Sequence, residues 1–181
     1  GGELSSVTVS MDITGGNSNS LYFYGLSDGE IEMDCMRFIP RSTSIIEDSV
    51  GIRYEAESTL NIFGGNAEVE GHHSFSNYAK VNNVGDTSSD YLEFNKVYAA
   101  ETGDYLCRFV YKVNSEEKLN VKVNSQADKE LAFHNYDPGG FEEAAIVVSL
   151  SSGNNTIKLH QPSGGATVEL DYLEVTPYEI L

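Results

Sequence analysis

Tryptophan is absent from this sequence of 181 residues, and basic residues are scarce, with 11 Lys and Arg against 28 Asp and Glu. The resulting net charge of −17 repels phosphate backbones and anionic head groups, so nucleic acid and membranes are excluded as expected partners. No run reaches the roughly 20 apolar residues that a membrane-spanning helix needs. The two cysteines, Cys35 and Cys107, lie far apart without metal-ligand spacing. Two unrelated buried residues are a better interpretation of them than a disulfide.

Aromatic residues other than tryptophan are plentiful: the chain has 11 Tyr and 8 Phe, together with 17 Gly. Short alternating runs are separated by Gly, Asn, Asp and Ser, which predicts an all-β sandwich of two antiparallel sheets. Within Gly103–Val113, Tyr105, Cys107, Phe109 and Tyr111 share one face, which indicates a strand with one side in a core. The strands predicted after residue 51 are Ile52–Glu55, Tyr78–Val81, Asp90–Phe94, Gly103–Val113, Leu119–Val123, Ala145–Leu150, Asn155–His160 and Thr167–Thr176.

An internal repeat relates residues 11–40 to residues 149–177. Both copies have a Gly-Asn turn, a strand, a loop containing Gly and a closing strand, and Glu32, Asp34 and Pro40 match Glu169, Asp171 and Pro177. We interpret residues 1–40 as the last strands of a preceding similar module, with 41–51 as linker. The alternative is that they are extra strands of one enlarged sandwich. Isolated strands cannot bury a face, so ordered ones must pack on a neighbour.

Residues 52–177 carry a series of short motifs in a fixed order. They are Tyr54–Glu57, Ser76–Val81, Asp90–Phe94, Thr102–Tyr105, Leu119–Asn124, Gly153–Leu159 and Leu170–Val175. Together they resemble carbohydrate-binding module family 35, of which family 6 is a close relative. The resemblance implies a jelly-roll β-sandwich, appended to a secreted enzyme that degrades polysaccharides.

Three carboxylates are candidate metal ligands. Glu55 and Glu57 are two residues apart on a predicted strand, so their side chains leave the same face about 6–7 Å apart. Calcium binds such hard oxygen ligands, six to eight at a time. The resemblance implies that this pair and Asp171 bind a structural calcium, with loop carbonyls that we expect near Gly71–Ser76. The competing interpretation is an acidic, solvated strand edge.

The resemblance also implies a sugar site in loops at one end of the sandwich, since aromatic faces pack on sugar C–H patches and polar groups read hydroxyls. Tyr78, next to Asn77, stands at the first aromatic position of the family. Phe141 replaces a tryptophan, and the position of the family's asparagine falls near Glu169 or in the loop of residues 163–167. Two nearby loop residues, His134 and Tyr136, can supply further contacts. Phe stacks more weakly than Trp, and a glutamate reads different hydroxyls.

No set of residues predicts catalysis, because the sequence has neither GxSxG nor HExxH. We therefore expect a non-catalytic, calcium-stabilised carbohydrate-binding module of a secreted, multimodular glycoside hydrolase. Its expected partners are an oligo- or polysaccharide and a covalently linked catalytic domain, which the module targets to glycan. The alternative is a structural spacer or protein-interaction β-sandwich that has lost sugar binding, which the missing tryptophan and asparagine favour.

Overall fold

The computed structural model describes residues 51–178. The predictions for residues 1–40, for the linker up to residue 50 and for Cys35 lie outside the described residues. The described strands are β1 (Ile52–Glu55), β2 (Ile62–Gly64), β3 (Glu68–Gly71), β4 (Ala79–Val84), β5 (Tyr91–Ala99), β6 (Gly103–Lys112), β7 (Glu117–Val123), β8 (Lys129–Phe133), β9 (Glu142–Leu150), β10 (Gly153–His160) and β11 (Val168–Pro177). A single 3-10 turn, Ser76–Tyr78, precedes β4. Between residues 51 and 178 no helix is long and apolar enough to cross a membrane.

The strands form two antiparallel sheets, which confirms the predicted fold class of an all-β sandwich. One sheet has the order β3-β4-β11-β6-β9, with β1 also paired to β11, and the other has the order β2-β5-β10-β7-β8. β11 is the centre of the first sheet, because β6 runs along one of its sides while β4 and β1 share the other. It therefore brings the two ends of the described chain together.

The core between the sheets follows from the alternation along the strands. On β6, Tyr105, Cys107, Phe109 and Tyr111 are all buried, as predicted. Rings of Phe94, Phe133 and Phe109 meet at the centre, with centroids 6.3 Å apart in each pair that includes Phe109. Cys107 has a free thiol, and burial raises its pKa to about 12. This cysteine is a small core residue and not a reactive one.

A β-bulge interrupts β11 at Asp171. Against β6, Leu170 pairs with Tyr111 and Tyr172 pairs with Val110, which leaves Asp171 as the extra residue. Leu170, before the bulge, and Leu173, after it, are both buried in the core. The extra residue therefore keeps the same face of β11 turned to the core on both sides of the bulge. Asp171 is only 5% exposed and departs from the alternation. The bulge thus places the buried carboxylate of Asp171 outside the regular alternation of β11.

Candidate functional site

The pairing of β1 with β11 brings the predicted metal-binding residues together. Glu55 stands opposite Tyr172 in the register, and the backbone N–H of Ala56 donates to the carbonyl oxygen of Asp171 over 3.0 Å. Glu57 follows directly after the strand. The three carboxylates, which we call the carboxylate cluster, therefore meet where β1 ends beside the bulge of β11.

Ser76, in the 3-10 turn, joins two members of the carboxylate cluster. Its hydroxyl contacts Glu55 Oε2 at 2.6 Å and also Asp171 Oδ1, while its backbone N–H donates to Asp171 Oδ1 over 2.9 Å. A hydroxyl has one hydrogen and can donate to only one of the two carboxylates. In the other contact, the hydroxyl oxygen faces a carboxylate oxygen with no hydrogen between them. A proton on that carboxylate or a bound cation would remove the repulsion between these two oxygens.

Glu57 carries the strongest sign of a missing partner in the carboxylate cluster. Its Oε2 is buried and has no hydrogen-bond partner. Burial raises the pKa of Glu57, and the charges of Glu55 and Asp171 raise it further, although hydrogen bonds from its own backbone and from Asn77 lower it. An ionised carboxylate in such surroundings is unfavourable unless a cation approaches it.

The carboxylate cluster fits calcium by its donors, although not in its present arrangement. Among residues 51–178, no three His, Cys, Asp or Glu side chains have the spacing of a metal site as they stand. Arg53 also forms a salt bridge with Glu55, with 2.7 Å between Arg53 Nε and Glu55 Oε1. Calcium prefers hard oxygen ligands such as these carboxylates. The buried Glu57 Oε2 has no other partner and is available to such an ion. A bound calcium would have to displace the contacts of Ser76 and Arg53.

A depression of about 270 Å³, which we call the pocket, lies beyond the same part of β11. It is open to solvent, and its size limits a bound sugar to one or two rings. Most of the residues that line it are charged, polar or aromatic: His72, Phe75, Lys80, Lys112, Val113, Asn114, Gly139, Thr167 and Glu169.

The charges of the pocket are largely neutralised within it. Lys80 Nζ lies 2.8 Å from Glu169 Oε1 and 3.4 Å from Glu70 Oε2. Lys112 Nζ donates to the carbonyl oxygen of Gly139 over 2.9 Å. The pocket therefore offers hydrogen-bond donors and acceptors without a large net charge, which suits a ligand rich in hydroxyl groups.

Phe75 forms the aromatic wall of the pocket, and Phe141, which does not itself line the pocket, packs against Phe75. Phe75 is buried, and Phe141, 39% exposed, meets it edge-to-face at 4.8 Å between centroids. The ammonium of Lys112 lies 4.3 Å from the Phe141 centroid. Lys112 thus covers part of the ring surface on which a sugar would stack.

Only some of the predicted sugar-binding residues lie at the pocket. Glu169 lines it, and Phe141 packs on its wall. His134 and Tyr136 stack on each other at 5.1 Å in the adjoining loop, with Tyr136 78% exposed, and neither lines the pocket.

Tyr78 and Asn77 lie in the 3-10 turn, towards the carboxylate cluster. Both have a positive φ, 59° and 48°, an uncommon conformation for residues other than glycine. The Tyr78 side chain is 75% exposed and does not line the pocket. The Asn77 side chain hydrogen-bonds to Glu57, which lowers the pKa of that carboxyl. Their predicted role in sugar binding stays a prediction.

Four groups at these sites were not predicted from the sequence: Phe75, Lys80, Lys112 and the hydroxyl of Ser76. Lys80 and Ser76 lie in the motif Ser76–Val81, so that motif contained a signal for both. Lys112 ends β6 on the side opposite to the core residues, where it was indistinguishable from a solvated lysine. Their roles arise from the pairing of β11 with β4 and β6.

No family model and no curated protein matches the sequence, but solved structures do. A family 35 carbohydrate-binding module from Clostridium thermocellum matches with a TM-score of 0.65 and 26% identity, over 69% of this chain and 98% of that one. A family 35 module from Paenibacillus barcinonensis matches with a TM-score of 0.60 and 25% identity, over 71% and 100% of the two chains.

A longer protein also matches, the Podospora anserina GH26-CBM35 β-(1,4)-mannanase. Its TM-score is 0.59 and its identity 26%, over 72% of this chain but only 28% of the mannanase. The matches are therefore to whole modules or to one part of a larger enzyme. The fold, the order of the motifs and these structures agree that this chain contains a module like those of carbohydrate-binding family 35.

Proposed function

We propose that residues 51–178 are a non-catalytic carbohydrate-binding module, stabilised by calcium, that holds an attached glycoside hydrolase on its glycan outside the cell. The observation that carries the proposal is the pocket, in which an aromatic wall stands beside closely spaced donors and acceptors. The similarity to family 35 modules, one of them within a mannanase, supports both sugar binding and the link to a catalytic domain.

The pocket supplies the two kinds of contact that sugar recognition needs. Phe141, which packs on Phe75 beside the pocket, offers a ring to the C–H face of a sugar. Lys80, Asn114 and Glu169 surround the position where hydroxyl groups would then lie. Because the charges of Lys80 are matched by Glu169 and Glu70, we expect a neutral glycan to bind here. The similarity to family 35 carbohydrate-binding modules supports a role in attachment only.

Calcium would act on stability and on the shape of the pocket. Glu55, Glu57 and Asp171 would hold it, and it would neutralise their mutual repulsion. Asp171 is two residues from Glu169 on β11, so the carboxylate cluster and the pocket share a segment of backbone. A cation at the cluster would therefore fix the strand that positions Glu169.

A glycan array followed by calorimetry on the best neutral ligand tests sugar binding. We expect Phe141→Ala to weaken binding by about five- to tenfold, the value of one aromatic contact. Tyr98→Ala is the matched control, because Tyr98 is also an exposed aromatic residue but lies on β5 and does not line the pocket. Equal losses in both variants would contradict the assignment of the pocket.

Thermal unfolding with calcium and with a chelator tests the carboxylate cluster. At a free calcium concentration of 100 times Kd, we expect calcium to stabilise the fold by about 2.7 kcal/mol. Glu57→Gln should change the melting temperature in opposite directions in the two conditions. In chelator it removes a poorly solvated charge and raises the melting temperature, whereas in calcium it removes a ligand and lowers it.

Glu93→Gln serves as the control for this experiment, because Glu93 lies on β5 of the other sheet. It should leave the stabilisation by calcium unchanged. A melting temperature that is the same in calcium and in chelator, with no calcium found by elemental analysis, would contradict the metal site.

One observation favours the alternative of a spacer or protein-interaction module. Lys112 lies over Phe141 and 5.3 Å from the Phe75 centroid, so a sugar can stack only if this lysine moves. Silence across the array, in calcium and in chelator, would support this alternative. Lys112→Ala distinguishes the two functions, because it should strengthen sugar stacking but has no reason to create binding in a spacer.

A further inference from the structure

The solvent face of the five-stranded sheet carries two lysines at its centre. On β10 and β7, Lys158 and Lys122 stand directly opposite each other in the register. Both alternate with buried residues, so both side chains leave the outer face. Side chains in such a pair start about 5 Å apart, and like charges directly opposite destabilise a sheet. An anion between the two ammonium groups would remove this repulsion.

Neither ammonium group has a carboxylate partner within the described residues. Lys158 stands opposite Glu93 on β5, yet its Nζ lies over the ring of Tyr91, 3.5 Å from the centroid. Lys122 makes no ion pair or side-chain hydrogen bond in residues 51–178. Lys118, at the margin of the same face, has Glu130 at 2.8 Å. The central pair is therefore available to an external anion.

The sheet also holds Tyr91 in a fixed place beside these lysines. Gly64 is its register partner on β2, and a Cβ atom at Gly64 would lie only 2.0 Å from Cε1 of Tyr91. The ring therefore fills the space that a side chain at position 64 would take. Any larger residue there would push the ring away from the sheet and from Lys158.

His160 borders this group as the register partner of Tyr91 and Asn120, and its Nε2 lies 3.1 Å from Asp128 Oδ2. Burial lowers its pKa, and the charges of Lys158 and Lys122 lower it further, while Asp128 acts in the opposite sense. The two lysines thus act on the same small area of the sheet surface. An anion bound between them would relieve their mutual repulsion and their effect on His160.

We propose that Tyr91, Lys122 and Lys158, which we call the lysine patch, form a second binding surface for the anionic groups of an acidic polysaccharide. The ligand class follows from charge: the net charge of −17 opposes a densely charged polymer. A polysaccharide with one acidic group on each sugar is less densely charged than duplex DNA, which carries one charge per about 1.7 Å of its axis. The proposal rests on the proposed function only in taking the ligand to be a glycan, since the pocket and the lysine patch share no residue.

Affinity electrophoresis of the full chain tests the proposal with defined probes. Polygalacturonate carries carboxylates, dextran sulfate carries sulfates, and dextran is the neutral counterpart. We expect at least one polyanion to retard the protein through the lysine patch, and dextran to cause no retardation through it. The retardation should vanish in 1 M salt, where charge interactions are screened within about 3 Å. The stronger of the two polyanions identifies the anionic group.

The double variant Lys122→Gln with Lys158→Gln should reduce this retardation by about tenfold or more, because it removes both cationic contacts. Its matched control is Lys118→Gln with Lys129→Gln, which changes the net charge equally. Those lysines are engaged with Glu130 and with the carbonyl oxygen of Val147. The control should lose less than about twofold. Gln at all four positions is compatible with exposed strands, and circular dichroism checks that each variant folds.

Three results would overturn the proposal: no retardation by either polyanion, equal losses in the two double variants, or equally strong retardation by single-stranded DNA. The fate of the pocket is measured separately, because Phe141→Ala should leave retardation by polyanions unchanged. A protein that binds polyanions through the lysine patch but no neutral glycan would remove the proposed function of the pocket and keep this one.

Discussion

The inner strands of the two sheets treat their basic side chains in opposite ways. On the six-stranded sheet, Arg108 lies between Glu143 and Glu174, and Lys80 lies between Glu70 and Glu169. On the five-stranded sheet, Lys122 and Lys158 face each other at the centre. In a chain with so many acids, unpaired bases are easy to avoid. Arg108 and Lys80 thus have carboxylate partners on the first sheet, whereas Lys122 and Lys158 have none among the described residues, and the proposal of the lysine patch rests on this contrast.

Loss of Arg108 should have the largest effect on this comparison. Arg108→Met keeps the apolar stem but leaves the carboxylates of Glu143 and Glu174 facing each other without their shared cation. We expect a loss of about 1–3 kcal/mol in the free energy of unfolding, since the side chain of Arg108 is largely buried. Urea denaturation measures it. Lys129→Met, an exposed lysine on β8, is the control and should change stability by less than about 0.5 kcal/mol.

A charge reversal on the five-stranded sheet should have a smaller effect of the opposite sign. Lys122→Glu places a carboxylate opposite Lys158, so that repulsion becomes attraction. We expect a gain of about 0.5–1 kcal/mol by urea denaturation. Lys118→Glu on the same strand breaks the pair with Glu130 instead and should cost a few tenths. If both reversals destabilise the fold equally, Lys122 and Lys158 do not differ from ordinary surface lysines.

The smallest expected effect is a dependence of stability on pH through His160. Its folded pKa is lowered from 6.5, so the unfolded chain binds more protons in the window just below that value. Stability contributed by the neutral imidazole is therefore full above about pH 6.5 and falls as the pH drops towards the folded pKa. The charged groups that act on it are Asp128, Lys158 and Lys122. His160→Gln should flatten this part of the pH profile.

A titration by nuclear magnetic resonance checks the cause of this shift. In Lys158→Gln, the pKa of His160 should rise, because one of the two cationic neighbours is gone. In Asp128→Asn it should fall further. No movement in either variant would mean that burial alone sets the value.

The sequence predicted most of the long strands, because their alternation is regular. β1 has the predicted bounds, and the bounds of β6 and β7 differ from the prediction by at most two residues. Three short strands were missed. All four residues of β3 are exposed, β2 has three residues and ends at a glycine, and β8 has only one fully buried residue. Such strands form because a neighbour offers an edge, which no local pattern reports.

The candidate sites were predictable to the extent that they depend on sequence spacing. Glu55 and Glu57 are close on the chain, and the family resemblance supplied Asp171, so the carboxylate cluster was anticipated. Ser76, Lys80 and Lys112 were not, because a serine or lysine gives no signal until pairing with β11 brings it to a carboxylate or a ring. The opposition of Lys122 and Lys158 likewise depends on register, which is set by the whole sheet.

The bulge at Asp171 has a consequence for transplanting this module's surface onto another scaffold. Glu169 and Asp171 are two residues apart, yet one faces the pocket and the other the carboxylate cluster, only because the strand contains one residue too many. A graft that copies the loops but sets them on a regular strand would turn either Glu169 or Leu173 to the wrong side. The unit that has to be transferred whole is therefore the irregular strand together with its partners β1, β4 and β6, and not the loops alone.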